Sequence, residues 1–162
     1  MGITGASQNS FTLDADTLLA DSLALSAAAT TIGQVGGADG QLDFGGTSPN
    51  GVEQVAYVRG QFVLDVTVAP DLGTGDESYD WVLQLADDDS DFTAATTVVS
   101  KPLVHLGTAL GTNGDTMSGA GRSVVGVDNE FQGTLFRYAR LVIIIAGTTP
   151  SVTSSAAFVR SY

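Results

Sequence analysis

The chain has 162 residues, no cysteine and one histidine, and its 18 acidic residues against 6 basic ones give a formal net charge of −12. The length suits one domain that buries roughly two-thirds of its unfolded surface, and the missing thiols exclude a disulfide framework, a thiolate metal site and a cysteine nucleophile. The charge sets the chain against polyanions, so neither nucleic acid nor an anionic membrane is expected as a partner.

Residues 1–10, MGITGASQNS, carry no charged side chain and little apolar surface, which predicts a flexible N-terminal arm ahead of a domain over 11–162. No basic segment precedes an apolar core there, and the longest wholly apolar run, Leu141 to Ala146, is too short to span a bilayer. The expectation is a protein that stays in the compartment where it is made. The next stretch, FTLDADTLLADSLALSAAATT, has no clean period. A helical turn at 15–20 capped by Asp14 and a strand through Leu23, Leu25 and Ala27 are both compatible with it.

From Gly33 to Gly51 the residues are mostly Gly, Asp, Ser and Asn, with Leu42 and Phe44 the only large apolar ones, which reads as a long loop with at most one short strand. Val52 to Ala69 is a strong strand signal, with Phe62, Leu64, Val66 and Val68 on one face and Gln61, Asp65 and Thr67 on the other. Gly60 within it predicts a bulge or bend. After the turn PDLGTGDE, the residues Tyr79, Trp81, Leu83 and Leu85 alternate as the inward set of a further strand. An acidic turn at Asp87–Asp91, a strand at Ala94–Ser100 and a short edge strand at Pro102–Leu106 follow, proline being tolerated at an edge. Gly107 to Arg122 reads as a second Gly-rich loop, and strand character returns at Ser123–Val127 and from Gly133 onward.

The densest strand signal is FRYARLVIIIA, Phe136 to Ala146, which a Gly-Thr-Thr-Pro turn links to the closing run SSAAFVRSY. Both of its faces are apolar: Leu141, Ile143 and Ile145 on one, Phe136, Tyr138, Val142 and Ile144 on the other. A half-solvated strand would alternate with polar residues, so something must cover the second face, whether a sheet layer of the same domain or another protein. Arg137 and Arg140 differ by three and are expected on opposite faces, one paired internally and one offered to a partner. Roughly eight strands with long polar loops predict an all-β, single-domain antiparallel sandwich of jelly-roll-like form.

Chemistry finds little purchase. His105 lies on the presumed edge strand PLVHL without a G-x-S-x-G elbow, and reads as an outward structural residue. Glu53 and Glu77 sit in no glycosidase motif, and Lys101, the only lysine, is in no phosphate-binding loop. Asp87, Asp89 and Asp91 have the 1-3-5 spacing of a calcium loop, but the sixth position is Phe92 and the twelfth Val98, where glycine and a bidentate glutamate belong. No catalytic residue, cofactor or metal ligand is therefore assigned, and an enzyme is not expected.

Three stretches, FTLDADTLLADSLALSAAATTIGQVGG, WVLQLADDDSDFTAA and FRYARLVIIIAGTTPSVTSSAAFVRSY, occur in an order that resembles the Bbp16-like family of phage capsid cement (decoration) proteins. The loops 33–51 and 107–122 are longer than that pattern. The resemblance implies a jelly-roll-like structural protein on the outer surface of the virion capsid, made in the host cytoplasm. Its implied partners are the major capsid protein and itself, as a symmetric dimer or trimer. Phe136, Arg137, Tyr138, Arg140, Val142 and Ile144 on the apolar strand, with Ser7, Asn9 and Phe11 of the arm region, are the expected interface residues. The alternative is a carbohydrate-binding β-sandwich module with Tyr57, Tyr79 and Trp81 as a sugar platform.

Overall fold

Runs of β-branched and aromatic residues separated by Gly, Asn and Asp clusters form strands here almost throughout. The computed structural model describes residues 17–47, 51, 53–87, 92–95, 97–107 and 120–160. In chain order the strands are β1 (Leu18–Leu25), β2 (Ala29–Ile32), β3 (Gln34–Val35), β4 (Ala38–Asp39), β5 (Gln41–Asp43), β6 (Gly45–Thr47) and β7 (Glu53–Val55). They continue with β8 (Arg59–Val68), β9 (Ser78–Ala86), β10 (Val98–Gly107), β11 (Gly121–Asp128), β12 (Glu130–Phe131), β13 (Thr134–Leu135), β14 (Tyr138–Ala146) and β15 (Val152–Arg160).

Two antiparallel sheets carry the fold: a four-stranded one in the order β1-β15-β8-β11, and a five-stranded one in the order β10-β9-β14-β2 with β5 also on β14. β2 pairs with Val142–Ile145 and β5 with Tyr138–Arg140, so the two are halves of one edge strand. Counted that way the sandwich has eight principal strands, and every connection among them except β9–β10 passes from one sheet to the other. The resulting order, first-eighth-third-sixth facing second-seventh-fourth-fifth, is that of a jelly roll.

The core lies between the sheets. Phe62, Leu64, Val66, Ala156 and Phe158 from one face meet Tyr79, Trp81, Leu83, Leu85, Leu141, Ile143 and Ile145 from the other. Trp81 is fully buried, and its indole N–H donates to Ser154 Oγ across the sandwich at 3.3 Å. Tyr79 is equally buried, its hydroxyl donating to Asp71 O at 2.6 Å and accepting from Ser151 N–H at 3.1 Å. Burial pushes the Tyr79 phenol above its ordinary pKa.

Several local expectations are corrected. The 15–20 region is a strand from Leu18 on. The presumed loop 33–51 contains the β3–β4 hairpin, β5 and β6, which pairs with β7 beyond it, and Leu42 and Phe44 join the core. The β3–β4 hairpin, turning on Gly36 and Gly37 at φ 59° and 85°, leaves the edge strand at Gly33 and returns at Gly40. Gly33 N–H donates to Leu141 O at 2.8 Å and Gly40 N–H to Gly33 O at 2.7 Å, closing the gap. A β-carbon on either glycine would lie 2.2 or 2.3 Å from Leu19 O, so the edge can approach β1 only without side chains at these two positions. The strands expected at 94–100 and 102–106 are one strand, β10, with a register shift between Pro102 and Val104. Gly60 marks no bulge: its pairing is regular, and a β-carbon there would meet Val159 O and the Phe158 ring at 2.4 and 2.5 Å.

Candidate interaction surface

The parity of β14 settles where its two apolar faces go. Ala139, Leu141, Ile143 and Ile145 are at most 2 % exposed and enter the core, whereas Tyr138, Arg140, Val142 and Ile144 lie on the outer side of the sheet. Strand register extends that side into rows. Ile32, Val142, Val82 and Pro102 stand abreast across β2, β14, β9 and β10. The next row holds Thr30, Ile144, Asp80 and His105, and on the other flank Gln41, Arg140, Gln84 and Ser100. Ile144 is 38 % exposed, while Val142, between Ile32 and Val82, is buried. The result is an apolar band on the outer face of the sheet, bounded by the His105 Nδ1–Asp80 Oδ1 contact of 2.6 Å on one side and a guanidinium cluster on the other.

That cluster also accounts for part of the cover. Phe92, from the β9–β10 connection, is buried with its ring centroid 4.2 Å from the Arg140 guanidinium, and Arg140 Nε donates to Gln84 Oε1 at 2.9 Å. Arg137 donates from Nε and Nη2 to the two Asp43 oxygens at 2.9 and 3.0 Å and lies 4.9 Å from the Tyr138 ring centroid. The Arg137 guanidinium holds the Asp43 carboxyl below its ordinary pKa. So the second face of the strand is covered partly by its own chain, and bare around Ile144.

Of the expected interface residues, Tyr138, Arg140, Val142 and Ile144 share this outer face. Phe136 does not: it is 2 % exposed and belongs to the core, because β14 begins only at Tyr138 and the period-two count does not extend back to it. For the same reason Arg137 and Arg140 are not on opposite faces, Asp43 and Tyr138 drawing Arg137 to the outer side. Ser7, Asn9 and Phe11 lie outside the described residues. Ile32, Val82, Pro102 and Phe92 were missed. Val82, an apolar residue between Asp80 and Gln84 at outward positions, was the available signal. The sugar platform fails on burial, since Tyr79 and Trp81 are fully enclosed and only Tyr57, 51 % exposed, faces solvent.

The two ends of the sandwich are polar and internally satisfied. At one, Asn129 is buried, accepting from Val58 N–H at 2.8 Å and donating to Ala56 O at 2.8 Å and Phe136 O at 2.9 Å. Beside it Lys101 Nζ reaches Asp128 Oδ1 at 2.7 Å and the Glu130 carbonyl, tying the edges β10 and β11 and holding the Asp128 carboxyl below its ordinary pKa. At the other, buried Glu77 takes hydrogen bonds from the Thr74 hydroxyl and from Gly75 N–H at 3.0 Å, and the Thr74 contact lowers its pKa. Asp76 accepts from Thr148 Oγ1 at 2.6 Å, which lowers its pKa too and joins the 71–77 loop to the β14–β15 turn. Asp87 accepts from Thr97 N–H at 3.0 Å, while Asp89 and Asp91 of the calcium-like spacing lie outside the described residues. No cluster of three or more His, Cys, Asp or Glu suited to a metal occurs among the described residues. A cavity of about 430 Å³ between β1, the β3–β4 hairpin and the end of β15 is lined by Leu18, Val35, Asp39, Gly40, Gln41, Asp43 and Arg160, without a nucleophile–base pair.

Fold and surface together define an antiparallel β-sandwich with an apolar band on one outer sheet face. No family model, no curated protein and no solved structure matches the chain.

Proposed function

We propose that the protein is a structural virion component, a capsid cement (decoration) protein that binds the outer surface of a tailed-phage head and holds the joints between major capsid protein subunits. The observation that carries this reading is the outer face of the five-stranded sheet, where Ile32, Val142, Val82 and Pro102 form a row with Ile144 bare beside them. Such a band on a stiff sheet suits docking on another folded surface, burial being worth roughly 25 cal/mol per Å² before association costs. The fold by itself implies no function. The order of the three sequence stretches that resemble cement proteins supplies the direction.

A ligand that binds the assembled shell and not its free subunits stabilises the shell by that differential affinity, summed over many copies. The Asn129 and Glu77 networks tie the jelly roll at both ends, which suits a clamp that binds without reorganising. The net charge of −12 disfavours contact with packaged nucleic acid, which supports a position on the outside of the head.

The test is co-sedimentation of the purified protein with expanded, DNA-free heads of its phage. Saturable binding that Ile144→Asp weakens at least tenfold supports the reading. Failure of the wild-type protein to sediment with heads at micromolar concentration overturns it.

A further inference from the structure

A jelly roll has four sheet edges, and each presents unpaired backbone N–H and C=O groups to any chain that can add a strand. Three of the four are blunted here. β1 has register shifts at Leu18/Ala20 and Ala20/Leu23, with Ser22 held at φ 47°. The opposite edge of its partner sheet is interrupted between β2 and β5 by the β3–β4 hairpin. β10 contains Pro102, which has no N–H, next to a register shift. The fourth edge, β11, is different along Gly121 to Val127, Lys101 Nζ capping only its last carbonyl, Asp128 O, at 3.0 Å. Its eight residues, Gly121 to Asp128, pair with Val66 to Arg59 of β8 in unbroken register, without proline or bulge. It also carries one of the most exposed large apolar side chains among the described residues, Val124 at 52 %.

We infer that β11 pairs antiparallel with β11 of a second copy, about a twofold axis at Val125, joining two four-stranded sheets into one continuous sheet. The sequence of the strand is complementary to itself in that register. Residues whose numbers sum to 250 lie opposite, so Arg122 faces Asp128 of the second copy and Asp128 faces its Arg122, two opposite-charge pairs created by one axis. Val124 falls opposite Gly126, where the space a β-carbon would fill is open. The exposed valine of each copy therefore meets the gap in the other, on the outer face of the sheet. Arg122 already pairs with Asp65 and Asp128 with Lys101, each at 2.7 Å, so across the axis the Arg122–Asp128 contacts would join two existing ion pairs into one row of alternating charge. The overall charge of each copy opposes association, but at physiological salt it acts over about 8 Å, within which these local pairs prevail.

This deepens the self-association part of the cement reading, and rests on the edge geometry whether or not a capsid is the partner. Sedimentation velocity of the full chain across micromolar concentrations is expected to show a reversible dimer. Val124→Lys, a charge of the kind that guards natural sheet edges, should raise the dimer dissociation constant at least tenfold without changing the circular dichroism spectrum. The chain's lack of cysteine gives a second readout. Val125→Cys places two thiols across the axis, with Cα atoms about 4.5–5.5 Å apart as opposed residues in an antiparallel ladder are, within disulfide range. Mild oxidation should then yield a covalent dimer, while Val98→Cys on β10 stays monomeric. A strict monomer at every concentration, or an oligomer that tolerates Val124→Lys and does not cross-link through position 125, overturns the inference. Head binding by a monomer would overturn it alone, and dimerisation without head binding would overturn only the capsid reading.

Discussion

Replacing Ile143 and, separately, Ile144 by aspartate sends one carboxylate into the core and its neighbour onto the surface of the same strand. Ile143 is fully enclosed, in register with Trp81. Losing its burial costs about 1.5–3 kcal/mol, and enclosing an unpaired carboxylate adds several more. The sum matches the low end of a domain's whole stability, about 5 kcal/mol, so Ile143→Asp should not accumulate as folded protein. The milder Ile143→Ala gives a measurable cost of about 2–5 kcal/mol. Ile144 is 38 % exposed and stands opposite Asp80. There the new charge stays solvated, and like charges facing across two strands cost up to about 1 kcal/mol. Urea unfolding followed by far-UV circular dichroism compares the midpoints at constant slope. If Ile143→Ala and Ile144→Asp lose the same stability, the division of β14 into a core face and an outer face is wrong. If Ile144→Asp folds normally and still binds heads like the wild type, the docking face lies elsewhere.

Asn129→Ala removes three hydrogen bonds to the backbone of 56, 58 and 136 and should cost about 2–4 kcal/mol in urea unfolding. Asn129→Asp, though isosteric, should be no better, since it turns lone pairs toward two carbonyls; a change below about 0.5 kcal/mol in both variants would show the network to be dispensable. Gly40→Ala forces a β-carbon against Leu19 O and should cost about 1–3 kcal/mol or more, read from the thermal midpoint. For pH, the carboxyls of Asp43, Asp128 and Glu77 are all held low by their partners in the fold. A depressed folded pKa contributes stability that is present above the unfolded value, near about pH 4, and lost as pH falls through the folded one. Thermal midpoints should therefore hold level above pH 5 and decline below about pH 4, and Glu77→Gln should flatten that decline; an unchanged slope would dissociate Glu77 from acid stability.

Period-two patterning made most of the sandwich legible. The inward sets Phe62, Leu64, Val66 and Tyr79, Trp81, Leu83, Leu85 were readable because a strand's faces alternate strictly, and each is buried as the pattern requires. The rule failed where a strand starts, stops or shifts. Phe136 and Arg137 precede β14, so their direction is set by the turn and by Asp43, and counting back from Val142 misassigns both. Val68, counted with the inward set, is 55 % exposed at the end of β8, next to a register shift opposite Thr153. Residues 33–51 were read as a loop because glycine is depleted in strands. Here Gly33 and Gly40 serve a broken edge strand that must touch Leu19, a contact 14 and 21 residues away in sequence that no local window contains.

What the sequence determined by itself was the class: acidic, cysteine-free and all-β, with an over-apolar strand at Phe136–Ala146. Composition and periodicity are local properties, and burial of alternate residues follows from them directly. What only the tertiary structure decided was the neighbourhood of each face. Ile32, Val82 and Pro102 come from three separate strands to the row of Val142, Phe92 folds back onto Arg140, and β11 forms an edge in unbroken register without proline. These are consequences of strand order and register, which depend on pairings up to more than 100 residues apart, as in Val142 with Ile32. For FRYARLVIIIA the pattern showed two apolar faces, and the fold gave one to the core and left the other partly bare.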